Sequence, residues 1–314
     1  MKLVICGLWH VHAEDYYKIA IGHAGVEVIG VYDDRPERLA AFTKKYGVPA
    51  MTLAELLQSG ADGAIVCTST DTHADVICAL AEAGINVFTE KVLALSSAEC
   101  DRIAAAVEKS GVQFVFSLPH KYIGAWRTVK AVVESGELGK INYVRYRNVH
   151  SGSVNNWLPA HFYNEKECGG GAMIDLGAHG MYMIDWLVGQ PVLAKSTFTL
   201  SCSNEETAKK NTDRVEDNAV TVMQYENGCI AINETGFVSN GYPIILEVGG
   251  ELGRVCMSGG RVEKTVGNEA PVEVPAAEGL PSPIDQFCTG SILPGCGMEE
   301  ARRLTRMMEL AYGK

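Results

Sequence analysis

The chain has 314 residues, 47% hydrophobic and 21% charged, which suits two folded domains with sizeable cores and argues against a disordered chain. Its net charge of -11 repels a phosphate backbone, so neither nucleic acid nor an anionic membrane is expected as a partner. No stretch reaches the roughly 18 uninterrupted apolar residues of a membrane span.

The apolar opening run, residues 1–7, is far too short for a signal peptide and continues directly into a fold pattern. Residues 3–6 read as a buried strand and 13–21 as a helix. The alternation repeats with a strand at 26–32, a helix at 36–46, a strand at 64–67, a helix at 71–83, a strand at 86–89, a helix at 97–109 and a strand at 113–116. These strands are continuous apolar runs, so both their faces should be buried. Strand-helix alternation of that kind predicts a parallel sheet wrapped by helices over residues 1–120. Pro36 at a first helical turn, Gly47 and Gly84 as C-terminal caps, and Ser96 or Ser97 as an N-cap agree with it.

Beyond residue 120 the pattern changes. Helices are predicted at 125–135 and 172–187, and strands at 141–149, 193–200, 219–225, 229–237, 244–249, 253–257 and 261–266. Turn signals such as Asn227-Gly228 and Gly259-Gly260 separate consecutive strands, which predicts a mainly antiparallel sheet. The polar stretch 203–217 reads as a surface loop. Residues 121–296 therefore form a predicted α+β domain, and a last helix at 298–312 ends a C-terminal segment, 297–314, that packs back on the body. The ten cysteines include no Cys-x-x-Cys pair and are scattered through predicted elements, as reduced thiols would be in a cytoplasmic protein.

Several stretches carry chemistry. Gly7-Leu8-Trp9-His10-Val11-His12 occupies the turn where a dinucleotide-binding fold places glycines, but only Gly7 is present and Trp9 replaces the second. The helix behind the turn offers free N–H groups and a dipole to a phosphate. His10 and His12 are possible metal ligands, yet no third ligand lies nearby in sequence, so no metal is expected. Asp33 ends the second strand, where a carboxylate accepts from both ribose hydroxyls of adenosine; this favours NAD over NADP, with Arg35 and Arg38 close enough to weaken the argument. A helix-capping role for Asp33 is the plainer alternative. Thr68, Ser69, Thr70 and His73 follow the third strand at a sheet edge where ligands bind, and one of the hydroxyls also suits an N-cap. Glu90 and Lys91 end the fourth strand, where a lysine can stabilise a developing alkoxide. Gly169-Gly170-Gly171 leads into a helix on which Asp175 and His179 stand four apart, so a carboxylate can orient an imidazole suited to proton transfer.

Taken together, "CTSTDTHADVICALAEAGINVFTEK" at 67–91, "GELGKINYVRYRN" at 136–148, "GGGAMIDLGAH" at 169–179, Asp33 with Arg38, and the first strand-turn-helix resemble the Gfo/Idh/MocA oxidoreductase family over nearly the whole chain. The resemblance implies a Rossmann domain followed by an open, mainly antiparallel sheet that often forms a homo-oligomer interface. It also implies that Lys91 and His179 handle the proton of a substrate hydroxyl while Asp175 positions substrate or His179. Hydride would pass between a secondary alcohol carbon of a sugar, polyol or related compound and NAD. Gly7, Trp9, His10, Asp33, Arg38, Thr68, Ser69, Thr70, His73, Glu90 and Lys91 are the expected cofactor contacts. Trp157, His161 and Tyr163, with Phe162, are expected to form an aromatic and polar wall suited to a sugar ring, and His120 and Lys121, after the strand at 113–116, to line the cleft as further substrate contacts. Two positions depart from the family: the eroded glycine turn, and Val92 where the family has proline after Glu-Lys. Other activities open to the same residues are elimination of a glycosidic substituent through transient oxidation, and non-catalytic sensing of a sugar or nucleotide.

Overall fold

The computed structural model describes residues 1–314, which divide into two compact units. The first comprises residues 1–117 and 281–305, the second 118–280 and 306–314.

In the first unit, β1 (Lys2–Cys6), β2 (Glu27–Tyr32), β3 (Gly63–Val66), β4 (Asn86–Thr89) and β5 (Phe114–Phe116) form a parallel sheet in the order β2-β1-β3-β4-β5. β3 is buried throughout and β1 and β4 after their first residues, as their apolar runs require. Connecting helices are α1 (Ala13–Gly22), α2 (Pro36–Tyr46), α3 (Leu53–Leu57), α4 (Thr70–Glu82) and α5 (Ser97–Ser110). Pro36 lies in the first turn of α2 and Gly47 ends it in the left-handed conformation, both as predicted. Neighbour order reverses between β1 and β3, and the carboxyl ends of strands at such a switch point are where open α/β sheets bind ligands.

In the second unit, α6 (Gly124–Glu134), α7 (Glu165–Cys168), a π-helical turn (Met173–Gly177), α8 (Ala178–Val188) and α9 (Glu205–Lys210) accompany an eight-stranded sheet. Its strands are β6 (Ile141–Val149), β7 (Leu193–Thr199), β8 (Asn218–Gln224), β9 (Ile230–Gly236), β10 (Ile245–Gly250), β11 (Gly253–Ser258), β12 (Arg261–Val266) and β13 (Val272–Val274). The order is β13-β12-β11-β10-β6-β9-β8-β7, antiparallel except between β6 and β9. The π turn and α8 pack on β6 and β9, and α6 packs on β11 and β12. Along β8 residues alternate between exposed and buried, so the sheet buries one face and leaves the other open.

Three expectations change. Residues 281–296 were assigned to the second domain but belong to the first unit. There α10 (Pro283–Thr289) packs on α1 and β5, His23 Nε2 lies 2.9 Å from Asp285 Oδ1, and Phe287 is fully buried against the Phe88 ring. The closing helix α11 (Met298–Tyr312) is divided between the units after Thr305. The stretch 203–217 is not a plain surface loop. Asn204 caps α9, the Thr207 hydroxyl donates to the Ser153 carbonyl at 2.6 Å, and buried Asp217 accepts from the Ser201 and Cys202 N–H groups. The three polar side chains buried here, Thr207, Asn211 and Asp217, each have a partner.

Candidate functional site

Gly7 follows β1 with φ +94°, a conformation that glycine takes without strain, and its N–H donates to the Tyr32 carbonyl at 2.8 Å. A Cβ here would lie 2.5 Å from the Thr68 backbone nitrogen, so the close approach of β1 and β3 at the switch point demands glycine. The rest of the turn departs from expectation. The Leu8 N–H donates to Asp33 Oδ2 at 2.5 Å, the Trp9 and His10 N–H groups donate to the Cys67 carbonyl, and the His12 N–H donates to His10 Nδ1. These N–H groups are thus used inside the turn, and the Trp9 indole is buried. No side chain caps the N-terminus of α1.

Asp33 is engaged by three donors: the Leu8 N–H, the Arg35 N–H at 2.8 Å and Arg38 Nε at 2.9 Å. Burial raises its pKa above the ordinary aspartate value, and the three donors only partly offset this. Arg38 also reaches Asp34 at 2.7 Å. Asp33 accepts from the N–H of Arg35, the N-cap position itself, and no side chain caps the first turn of α2, so the capping alternative does not hold.

After β3, the Thr68 hydroxyl is buried with no hydrogen-bond partner, an orphan that a bound ligand would satisfy. Ser69 is the N-cap position of α4 but turns its hydroxyl to Asp71 at 2.6 Å, and Thr70 is buried in the first turn. His73 differs from the expected cofactor contact. It is buried with Nε2 3.1 Å from the Thr68 carbonyl and Nδ1 3.1 Å from those of Val92 and Leu93. Burial pushes its pKa below the usual histidine value, against the carbonyls of Leu93, Thr68 and Val92, which favour the charged form.

Glu90 and Lys91, both buried, end β4, and the Lys91–Val92 peptide is cis. Glu90 Oε2 accepts the Lys91 N–H at 2.9 Å, while Oε1 accepts from the Tyr16 hydroxyl and lies 2.7 Å from His12 Nδ1 and 3.7 Å from His10 Nδ1. Burial alone would push the Glu90 carboxyl up; His10, the His12 hydrogen bond and Lys91 outweigh it and hold the group ionised, well below the ordinary range. The expectation of no metal rested on the lack of a third ligand beside His10 and His12, and the fold supplies Glu90 as that third group.

In the second unit, each glycine of the run 169–171 answers a packing demand. Gly169 closes α7 at φ +83°, a Cβ on Gly170 would strike the Tyr312 hydroxyl at 2.1 Å, and one on Gly171 would strike the Glu216 carbonyl at 2.0 Å. Glu216 Oε1 accepts from the Gly171 and Met173 N–H groups at 3.0 Å and from Tyr312 at 2.7 Å. The next turn is π-helical, so Asp175 and His179 do not stand on a regular α-helical face as the i, i+4 spacing implied. His179 is buried at the start of α8, and its Nδ1 lies 2.9 Å from the Tyr182 hydroxyl, which also accepts the His120 N–H at 3.2 Å. Its ring stacks on His120, which stacks in turn on Trp126 and approaches the Tyr146 hydroxyl at 3.1 Å. Asp175 is half-buried.

The expected substrate wall is only partly realised. Trp157 is 53% exposed beside His150, His161 is half-buried, and buried Lys121 places its ammonium 5.8 Å from the Trp186 ring. Tyr163, however, is 1% exposed with its hydroxyl 2.9 Å from Ser153 Oγ, so it is a core residue and not a wall residue. Phe162 is buried as well. Sequence reasoning missed Tyr16, Tyr182 and Glu216. Tyr16 and Glu216 act through tertiary contacts; Tyr182 meets His179 within α8, where its spacing three residues on hints at the contact.

The gap left by Thr68, the close approach at Gly7 and the uncapped α1 helix suit a dinucleotide, and the comparisons agree. Residues 1–117 match the model for the oxidoreductase family, NAD-binding Rossmann fold, and residues 126–256 match the GFO/IDH/MocA C-terminal domain. Among curated proteins, an oxidoreductase subunit from Amycolatopsis mediterranei, named for UDP-kanosamine synthesis, is 31% identical over 60% of this chain and 52% of its own length. The match thus spans about half of that relative. Myo-inositol 2-dehydrogenase of Thermotoga maritima is 27% identical over 81% of this chain and 74% of its own. The aldose-aldose oxidoreductase of Caulobacter crescentus, solved with glycerol, shares the fold with a TM-score of 0.82 at 19% identity, over 100% of this chain and 96% of that one. The chain belongs to the GFO/IDH/MocA family of oxidoreductases, and its N-terminal unit is that family's NAD-binding Rossmann domain.

Proposed function

We propose that this oxidoreductase is an NAD-dependent dehydrogenase acting on a secondary hydroxyl of a sugar, polyol or related compound, with Lys91 and His179 managing the hydroxyl proton. When bound, NAD supplies the hydride acceptor. The N-terminus of α1 faces the pyrophosphate, since the turn before it has spent its N–H groups, and Thr68 donates its hydroxyl to the cofactor. Asp33 and Arg38 meet the adenosine ribose. Lys91, at the carboxyl end of β4, stabilises alkoxide charge as it develops. His179 takes or returns the proton, and Tyr182 holds its ring through Nδ1. Asp175 positions the substrate or His179.

The observation that carries this reading is the His179 ring, buried, stacked on His120 and gripped at Nδ1 by a hydroxyl that itself accepts a backbone N–H. A general base needs such fixed orientation. His120, Lys121, Trp157 and His161 are the proposed substrate contacts.

No helix of the chain is long and apolar enough to cross a membrane, and all ten cysteines are free, which supports a reducing, cytoplasmic setting. The open sheet face, carrying exposed Val220, Val222 and Ile230, supports self-association into a homo-oligomer, which light scattering after gel filtration would detect. The decisive assay mixes the protein with NAD and a panel of inositols, sugars and glycosides while following absorbance of reduced cofactor. Turnover is expected. Bound NAD without turnover on any member overturns the reading, and release of a leaving group without reduced cofactor assigns the elimination activity instead.

A further inference from the structure

Where the family has glycines, this chain has Trp9-His10-Val11-His12, which brings two imidazoles into the turn. The fold brings Glu90 to them from 78 residues beyond His12. Ligand atoms of the three side chains lie within 4.8 Å of one another. The two imidazole-to-carboxylate distances, 2.7 and 3.7 Å, bracket the roughly 3.4 Å that separates ligands around a tetrahedral zinc ion.

The chemistry of the set is selective. Two imidazoles with one carboxylate suit Zn²⁺ and its first-row neighbours, whereas Mg²⁺ and Ca²⁺ prefer all-oxygen shells. The carboxylate is held from behind, with the Tyr16 hydroxyl donating to Oε1 and the Lys91 N–H to Oε2. Outer partners of this kind orient a ligating carboxylate. A buried carboxylate gains from a cation, and the His12 side chain, 45% exposed, leaves a route in from solvent.

We propose that His10, His12 and Glu90 bind one Zn²⁺ ion, with a coordination position left open to water or to an oxygen of a bound ligand. The cation replaces the hydrogen that His12 and Glu90 share, which leaves as a proton, and takes the His10 Nδ1 lone pair from the long 3.3 Å hydrogen bond of the His12 N–H. Three protein ligands and an open position are the arrangement of reactive zinc sites, not of closed structural ones.

The test uses the whole protein, stripped with a chelator and then titrated with Zn²⁺ or Co²⁺ in the absence of NAD and substrate. One equivalent of zinc should remain after dialysis, and Co²⁺ should produce the intense visible bands of a low-symmetry site. His12→Ala should weaken binding by at least ~100-fold and Tyr16→Phe by ~10-fold. All ten thiols remain in both variants, so zinc held equally by wild type and His12→Ala overturns the proposal, as does substoichiometric zinc in the wild type. Should a variant fail to fold, imidazole NMR signals of the wild type decide. Broadening of the His10 and His12 signals by Co²⁺ supports the site, and undisturbed signals refute it. Because the readout is metal and not turnover, failure here leaves the dehydrogenase reading standing.

Discussion

The turn after β1 and the glycine run before the π turn both lead the chain into a helix, yet glycine serves different ends in them. At Gly7 it lets two parallel strands part with almost no space between their ends, and the Thr68 hydroxyl left there has no partner. At Gly169–171 it lets helix and sheet close on Glu216 and Tyr312, and the N–H groups of Gly171 and Met173 are capped internally by the Glu216 carboxylate. A glycine-rich approach to a helix therefore does not of itself mark a phosphate site. A donor or acceptor left unmatched is the better marker, and the Thr68 hydroxyl, packed against Gly7, is such a group.

The largest expected effects are on turnover. Lys91→Ala and His179→Ala should each lower kcat by ~10²–10⁴ while NAD still raises the melting temperature of both variants. Full activity in either variant removes that residue from the proposed chemistry. The next effect separates the two turns. Gly171→Ala forces a methyl group against the Glu216 carbonyl and should cost about 3 kcal/mol in urea unfolding, with NAD affinity unchanged in the protein that remains folded. Gly7→Ala adds a strained φ to a clash with Thr68; it should cost a similar ~2–3 kcal/mol and weaken NAD as well. Equal NAD affinity in the two variants would erase the distinction. Smaller still, Glu216→Gln weakens three hydrogen bonds around the second turn and should cost ~1–2 kcal/mol without altering NAD affinity.

These contrasts explain what was legible in the sequence. In the first unit a rule of topology does the gathering: parallel strands end at one edge, so Gly7, Asp33, Thr68 and Lys91 are brought to that edge once the strands are recognised. What the rule leaves out is which donors and acceptors are already spent. Hence the sequence does not show that both His73 nitrogens face backbone carbonyls, or that Glu90 gathers His10, His12 and Tyr16. In the second unit no comparable rule applies. The spacing of Asp175 and His179 implied one helical face because α-helical periodicity was assumed, and a π turn alters the register between them. Tyr163 read as a wall because its neighbours Trp157 and His161 are polar or exposed, but one contact with Ser153 makes it core. Short elements failed for another reason: α9 and α10 span six and seven residues, too few for periodicity to show, and are recognisable only from the caps Asn204 and Ser282.

The smallest expected effect bears most directly on the comparison. Thr68→Val keeps the branched shape and removes only the hydroxyl. If that hydroxyl is truly unmatched, its loss costs the ligand-free protein nothing and relieves a buried polar group, so stability should stay within ~1 kcal/mol of wild type or rise. In the NAD complex the same change removes one hydrogen bond of about 0.5–1.5 kcal/mol, a roughly 2- to 12-fold weaker dissociation constant by calorimetry. The two measurements must therefore move apart. A Thr68→Val protein that loses stability without losing NAD affinity would mean that the hydroxyl serves the fold, and the first turn would then be as self-satisfied as the second.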